Sequence, residues 1–280
     1  MAGVTASLPP AWSGLVDDAA IFPPGDAPLP AAVAAHADRL TEWWADLVGS
    51  FVVTDVRVPE VAAPLPLAVV VTGGAGAIEG ALRLAGKGGH DVAGVEIALR
   101  DLDDLPGNAR RVATAADACG VLPEQTFVEL PHVPDTGSWL RAADAVAEAG
   151  MRLKFRTGGP DAASFPPAHA LARWIDAALD RETPFKCTAG LHHAIAHVDP
   201  GTGFGHHGFL NVMVATVRAF DGLPPDEVAV LLGERDSDVV ASAARAQDLS
   251  RARRWFTSFG SCSVTDPRDD LLALGLLETP

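Results

Sequence analysis

Of the 21 basic residues in this 280-residue chain only three are lysines, Lys87, Lys154 and Lys186. Lys87 sits in AGKGGH, a Gly-rich stretch that reads as a solvated turn. The other two lie inside apolar runs, MRLKFRTGG and PFKCTAG, where solvation does not explain an ammonium. An amine attacks a carbonyl only when unprotonated, and a reference pKa of about 10.4 leaves lysine almost wholly charged at neutral pH. A second cation a few ångströms away, with partial burial, lowers that pKa and frees the lone pair. A nearby carboxylate can then move protons through carbinolamine formation and carbon–carbon cleavage.

Strand alternation supplies those carboxylates. In Leu153-Lys154-Phe155-Arg156-Thr157 the apolar pair Leu153 and Phe155 should pack outward, which turns Lys154 and Arg156 to the other face. The same parity turns Lys186 and Thr188 inward in Phe185-Lys186-Cys187-Thr188, Glu96 in Val95-Glu96-Ile97, and Glu129 in Phe127-Val128-Glu129. Four consecutive strands thus bring Glu96, Glu129, Lys154, Arg156 and Lys186 to one interior. The bland alternative is a salt-bridge network with no chemical role. Buried pairs add little net stability, because desolvation offsets the attraction, so they are an inefficient way to hold a fold. Lys154 therefore reads as a Schiff-base nucleophile, Lys186 as its activator, and Glu96 and Glu129 as proton-transfer groups.

The elements that must position these side chains alternate along the chain. Strand-like runs cover 15–22, 51–56, 67–72, 93–99, 126–130, 152–157, 185–189 and 256–264. Helical stretches cover 31–48, 75–86, 107–118, 137–149, 161–180 and an extended set across 208–254. Eight strands alternating with helices over about 250 residues predict one (β/α)8 TIM barrel spanning 1–280, with a helical insertion near 200–255 between the seventh and eighth strands. A doubly wound parallel sheet is the alternative; against it, VVTGGAGAIEG at 70–80 lacks the full GxGxxG and reads as a tight turn opening a helix. The weakest connection joins the second and third strands, where about ten residues rich in Pro and Ala leave no room for a helix.

With the residues in this order, the chain resembles class I aldolases of the deoxyribose-phosphate aldolase type. The matching segments are Leu153-Lys154-Phe155-Arg156-Thr157-Gly158-Gly159, Phe185-Lys186-Cys187-Thr188-Ala189-Gly190, Gly94-Val95-Glu96-Ile97 and Ser258-Phe259-Gly260-Ser261-Cys262-Ser263, which together span 93–264. The resemblance implies a (β/α)8 barrel, a Schiff base on Lys154, activation by Lys186, and an anion cradle of Gly190, Gly260 and Ser261. Departures from the family pattern are Glu96 in place of Asp, Phe155 and Arg156 in a Thr-rich context, and a much longer segment before the last strand. These point to a relative with another substrate, or to a barrel that has kept the geometry without the reaction.

That longer segment, GLHHAIAHVDPGTGFGHHGFLN, holds His192, His193, His197, His206 and His207. His193 and His197 are four apart and would share a helix face. A divalent ion held through His192 and His193 is thus an alternative to a metal-free site, and substrate hydrogen bonding by the same two residues is another. Asp17 and Asp18, closing the first strand, belong to the same mouth, and Asp18 reads as substrate-binding.

A formal charge of -15 excludes a general nucleic-acid binder. Cys119, Cys187 and Cys262, odd in number and without CxxC spacing, suggest a reducing cytoplasm. No leader or membrane span is visible in the sequence. The partner is expected to be a small molecule; a homo-oligomer is compatible with the sequence, although no helix face demands one. Three functions follow. The first is a Schiff-base lyase acting on a small carbonyl compound that carries an anionic or phosphorylated group. The second is a metal-dependent hydrolase or isomerase in which His192, His193, Glu96 and Glu129 bind a divalent ion and a lysine polarises the substrate, and the third a non-catalytic barrel that holds an anion through Arg156 and the Gly-rich turns.

Overall fold

The structure, a computed structural model, describes residues 8–132 and 136–280. The reading of the N-terminal stretch as free of a leader rests partly on residues outside these. Eight parallel strands form a closed barrel: β1 (Val16–Asp18), β2 (Val48–Thr54), β3 (Pro66–Val71), β4 (Asp91–Ala98), β5 (Thr126–Glu129), β6 (Arg152–Arg156), β7 (Phe185–Thr188) and, after a small hairpin, β10 (Phe256–Ser261). Closure is made by β1, which pairs Val16 with Phe259, Asp17 with Gly260 and Asp18 with Ser261. An open doubly wound sheet would leave that edge unpaired, so the barrel expectation holds and the alternative does not.

Helices pack outside the strands: α1 (Leu29–Arg39), α2 (Ile78–Lys87), α3 (Leu105–Ala118), α4 (Gly137–Glu148) and α5 (Ala168–Asp180) before the hairpin, then α6 (Phe209–Phe220), α7 (Pro225–Gly233), α8 (Ser237–Arg245) and α9 (Thr265–Ala273). Several begin where the sequence supplies a cap. The Asp104 carboxylate accepts from the Gly107 amide at α3, and the Thr136 hydroxyl accepts from the Trp139 amide at α4. The core lies between strands and helices. On one side Phe155, Phe185 and Phe256 follow one another at ring separations of 5.1 and 5.5 Å, and Phe259 stacks on Phe209 of α6 at 5.1 Å. All five are essentially inaccessible to water, each worth roughly 2–3 kcal/mol of apolar burial.

The observed elements depart from the sequence expectations in three places, the first strand, the first helix and the histidine segment. The first strand is three residues long, because the chain turns at Ala19–Phe22 and the following Pro23 and Pro24 have no N–H for a ladder. The helix expected over 31–48 ends at Arg39, after which the chain turns and buries Trp44. Between β2 and β3, where the sequence leaves no room for a helix, there is a single 3-10 segment, Asp55–Glu60; Asp55 ties it to the next crossover by accepting from the Thr72 hydroxyl at 2.8 Å. His193 and His197 do not share a helix: their segment is loop followed by the antiparallel hairpin β8 (His197–Val198) and β9 (Gly205–His206). The Gly-rich 70–80 stretch is the turn expected, with Gly74 at φ 75° leading into a 3-10 turn and α2.

Candidate functional site: a charged ladder in the barrel lumen

Register places the chemistry. Lys154 is paired with Glu129 of β5 on one side and with Lys186 of β7 on the other, so three charged side chains enter the lumen at one level. Glu129 and Arg156 are the last residues of their strands, and Glu96, Lys154 and Lys186 each lie two residues before the end of theirs. The group thus occupies the C-terminal end of the barrel, where barrel active sites are built.

The side chains form one continuous chain of alternating charge. Asp17 Oδ2 accepts from Lys186 Nζ at 2.7 Å, and Lys186 Nζ donates to Glu96 Oε1 at 2.5 Å. Glu96 Oε2 lies 2.7 Å from Lys154 Nζ, which in turn lies 3.0 Å from Glu129 Oε2. Glu129 Oε1 accepts from Arg156 Nε at 2.7 Å. Three cations and three anions cancel. The inner members are buried, whereas the Arg156 side chain is 40% exposed and marks the opening to solvent.

Uncharged groups complete the inner end. Asp17 Oδ1 accepts from the Ser50 amide at 3.0 Å and from its hydroxyl at 2.7 Å, and the Ser258 hydroxyl donates to Asp17 Oδ2 at 2.7 Å. The Phe127 ring is close to two cations, with Lys186 Nζ 5.1 Å and the Arg152 guanidinium 5.5 Å from its centroid.

The electrostatics correct one expectation. Burial disfavours the Lys154 ammonium and Lys186 pushes in the same direction, but Glu129 and Glu96 outweigh both, and the pKa is raised rather than lowered. Burial likewise opposes the Lys186 ammonium, and Asp17 and Glu96 again win, holding it well above the ordinary lysine range. For Glu96 burial works upward, but the two lysines hold it down at about 2. Glu129 is also held below the usual carboxylate range: burial raises it, and Lys154 and Arg156 more than compensate. At rest both amines are therefore ammonium ions.

The remaining expected residues divide. Thr188 pairs in register with Arg156 at the mouth. Gly260 is open toward it: an added Cβ would meet only Thr188 Oγ1 at 3.7 Å and Ala19 Cβ at 3.9 Å, both ordinary contacts. Gly190 has a structural reason to be glycine: φ is +77° and a Cβ would sit 2.6 Å from the Thr157 carbonyl oxygen. Ser261 and His192 come together, Oγ to Nδ1 at 3.1 Å, with Cys262 Sγ 3.6 Å from the same nitrogen. Burial keeps the His192 imidazole below its ordinary pKa and pushes the Cys262 thiol up, so this pair is neutral.

Asp18 and His193 are not part of the lumen. Asp18 faces α1, where His36 Nδ1 lies 3.0 Å away and Arg39 donates to the same oxygen; its neighbour Asp17 is the lumen residue. His193 is half-exposed and turns to Asp270 of α9 at 3.2 Å. His192 and His193 thus diverge, and among the described residues no three His, Cys, Asp or Glu side chains are arranged to hold a metal ion. The donor set does not fit the metal alternative.

Fold and site together define the chain as a (β/α)8 barrel with extra helices after β7 and a buried lysine–carboxylate network at the C-terminal end of its strands. No protein-family model and no curated protein matches it. Among the described residues no helix is long and apolar enough to cross a membrane.

Proposed function

We propose that this barrel is an enzyme of the carbon–carbon lyase type, which forms a Schiff base between Lys154 and a small carbonyl compound bearing an anionic group. The observation that carries the reading is the bridge made by Glu96, one carboxylate with an oxygen 2.7 Å from Lys154 and the other 2.5 Å from Lys186. A purely structural lumen is filled more stably with Val, Ile and Leu. Lys154 lies beside the opening marked by Arg156, where Glu129 and Glu96 hold it as the ammonium against the opposing push of Lys186. Glu96 and Glu129 are within reach to take the proton that leaves Nζ and return it to the departing oxygen. The resemblance to class I aldolases points to the same nucleophile on the same strand.

The test is borohydride trapping with a panel of small aldehydes, ketones and sugar phosphates, followed by peptide mass spectrometry. A stable adduct on Lys154, lost in a folded Lys154→Met variant, is the expected result. Lys154→Met should fold, because Glu96 keeps Lys186 and Glu129 keeps Arg156. No adduct on Lys154 across the panel overturns the reading.

A second reading is favoured by one observation, the pair of carboxylates against each lysine amine, which holds both as ammonium ions. On it the barrel holds an anion without covalent chemistry, and ligand binding is detected with no adduct.

A further inference from the structure

In the resting site the carboxylate of Glu129 spans two cations that belong to the same face of β6. One oxygen is 3.0 Å from Lys154 Nζ, and the other is 2.7 Å from Arg156 Nε, with the first also 3.5 Å from an Arg156 terminal nitrogen. Lys154 and Arg156 are two residues apart on one strand, so this spacing is built into the backbone. Glu129, unlike Glu96, stands at the strand end and reaches the mouth, and among the described residues its side-chain partners there are these two.

We infer that Glu129 keeps the place of a substrate carboxylate, and that the site takes a short 2-oxo acid whose carboxylate lies on Arg156 and whose adjacent ketone carbon lies at Lys154. The inference rests on the Schiff-base reading above and narrows its substrate class. A group with its charge next to the carbonyl matches the distance that one carboxylate already bridges. A sugar phosphate, whose anion lies several bonds from the carbonyl, does not.

The exchange also accounts for the resting ammonium. Glu129 is, with Glu96, one of the two carboxylates that keep Lys154 protonated. When the incoming carboxylate takes Arg156, Glu129 loses the guanidinium that anchored it and is free to turn toward the mouth with one proton from Nζ. The freed lone pair bonds to the ketone carbon as the C=O π pair moves to oxygen. The oxygen leaves as water after taking that proton and a second one from nitrogen, so that ammonium plus ketone gives protonated imine plus water.

The experiment compares pyruvate, acetone and glyceraldehyde 3-phosphate in borohydride trapping at pH 7, in the wild type, Arg156→Gln and Glu129→Gln. Calorimetry with propanoate, a carboxylate without a ketone, runs alongside. Pyruvate is expected to label Lys154 at least about tenfold faster than acetone, the yield of one charge-assisted hydrogen-bonded pair. Arg156→Gln should remove that preference, and Glu129→Gln should speed acetone labelling. Propanoate should bind the wild type and not Arg156→Gln. Lys154 adducts formed equally well from acetone or the sugar phosphate overturn the 2-oxo-acid inference and leave the Schiff-base reading standing. Arg156-dependent propanoate binding with no adduct from any compound overturns the Schiff base and keeps the carboxylate site. Neither adduct nor propanoate binding overturns both.

Discussion

Replacing Glu96 with glutamine removes the one anion shared by both lysines and tests whether the lumen charges act as a unit. The substitution keeps the shape but leaves three cations, Lys154, Lys186 and Arg156, against two anions, Asp17 and Glu129. It also turns an amide N–H toward an ammonium. The native carboxyl is held at about 2 rather than the ordinary 4.5, a preference for the ionised form equivalent to about 3 kcal/mol. Breaking a buried pair by removing one partner costs about 3–5 kcal/mol, so the two scales agree. Urea denaturation at pH 7 should show a loss in that range.

The pH dependence of that loss carries the sharper test. In the unfolded chain both lysines hold protons up to about pH 10.4. In the folded variant one of them, buried and uncompensated, releases its proton at lower pH, so the unfolded state binds more protons and stability climbs with pH. The slope reaches up to about 1.4 kcal/mol per pH unit. The wild type, whose lysine pKa values are raised, stays level through the same window. Adding Lys186→Met to the variant restores charge balance and should recover part of the loss. A loss below about 1 kcal/mol, or variant and wild-type curves that run parallel from pH 7 to 10, would refute the coupled-network account.

Two further predictions follow from the same geometry. Labelling of Lys154 by a neutral ketone should rise about tenfold per pH unit from pH 6 to 9, because Glu129 and Glu96 hold the amine protonated against the opposing push of Lys186; a plateau below pH 8 would contradict the direction of the shift. Gly190→Ala should lower stability by about 2 kcal/mol or more in thermal melts, since it adds left-handed strain to a 2.6 Å approach on the Thr157 carbonyl, whereas Gly260→Ala should be close to neutral.

The residues that sequence parity brought to one lumen are those on strands with an unambiguous outward pair, such as Leu153 and Phe155 around Lys154. Where no such pair exists, parity fails. Leu15-Val16-Asp17-Asp18 presents two apolar residues followed by two aspartates, so either register puts one aspartate inside, and the pairing of β1 with its neighbours decides for Asp17. Ser258 escaped for a related reason: the β10–β7 register shifts between Phe256 and Phe259, which breaks the alternation on which counting depends. Sequence alone gives the proton affinity of Lys154 the wrong sign, because residue types reveal which charges share a lumen but not their separations. A carboxylate oxygen at 2.7 Å outweighs a like charge that reaches the amine only across Glu96.

The cancellation of six lumen charges also bears on how such a site can change over generations. A lineage that loses any one of Asp17, Glu96, Glu129, Lys154, Arg156 or Lys186 inherits an unbalanced charge in a place water barely reaches, so isolated substitutions pass through a destabilised ancestor. Paired replacements, one acid with one base, avoid that valley. The mouth pair of Glu129 and Arg156 is the exception, because its solvent contact softens the penalty. Divergence toward new substrates would therefore begin at the rim, with the inner Asp17–Lys186–Glu96–Lys154 segment inherited as a block.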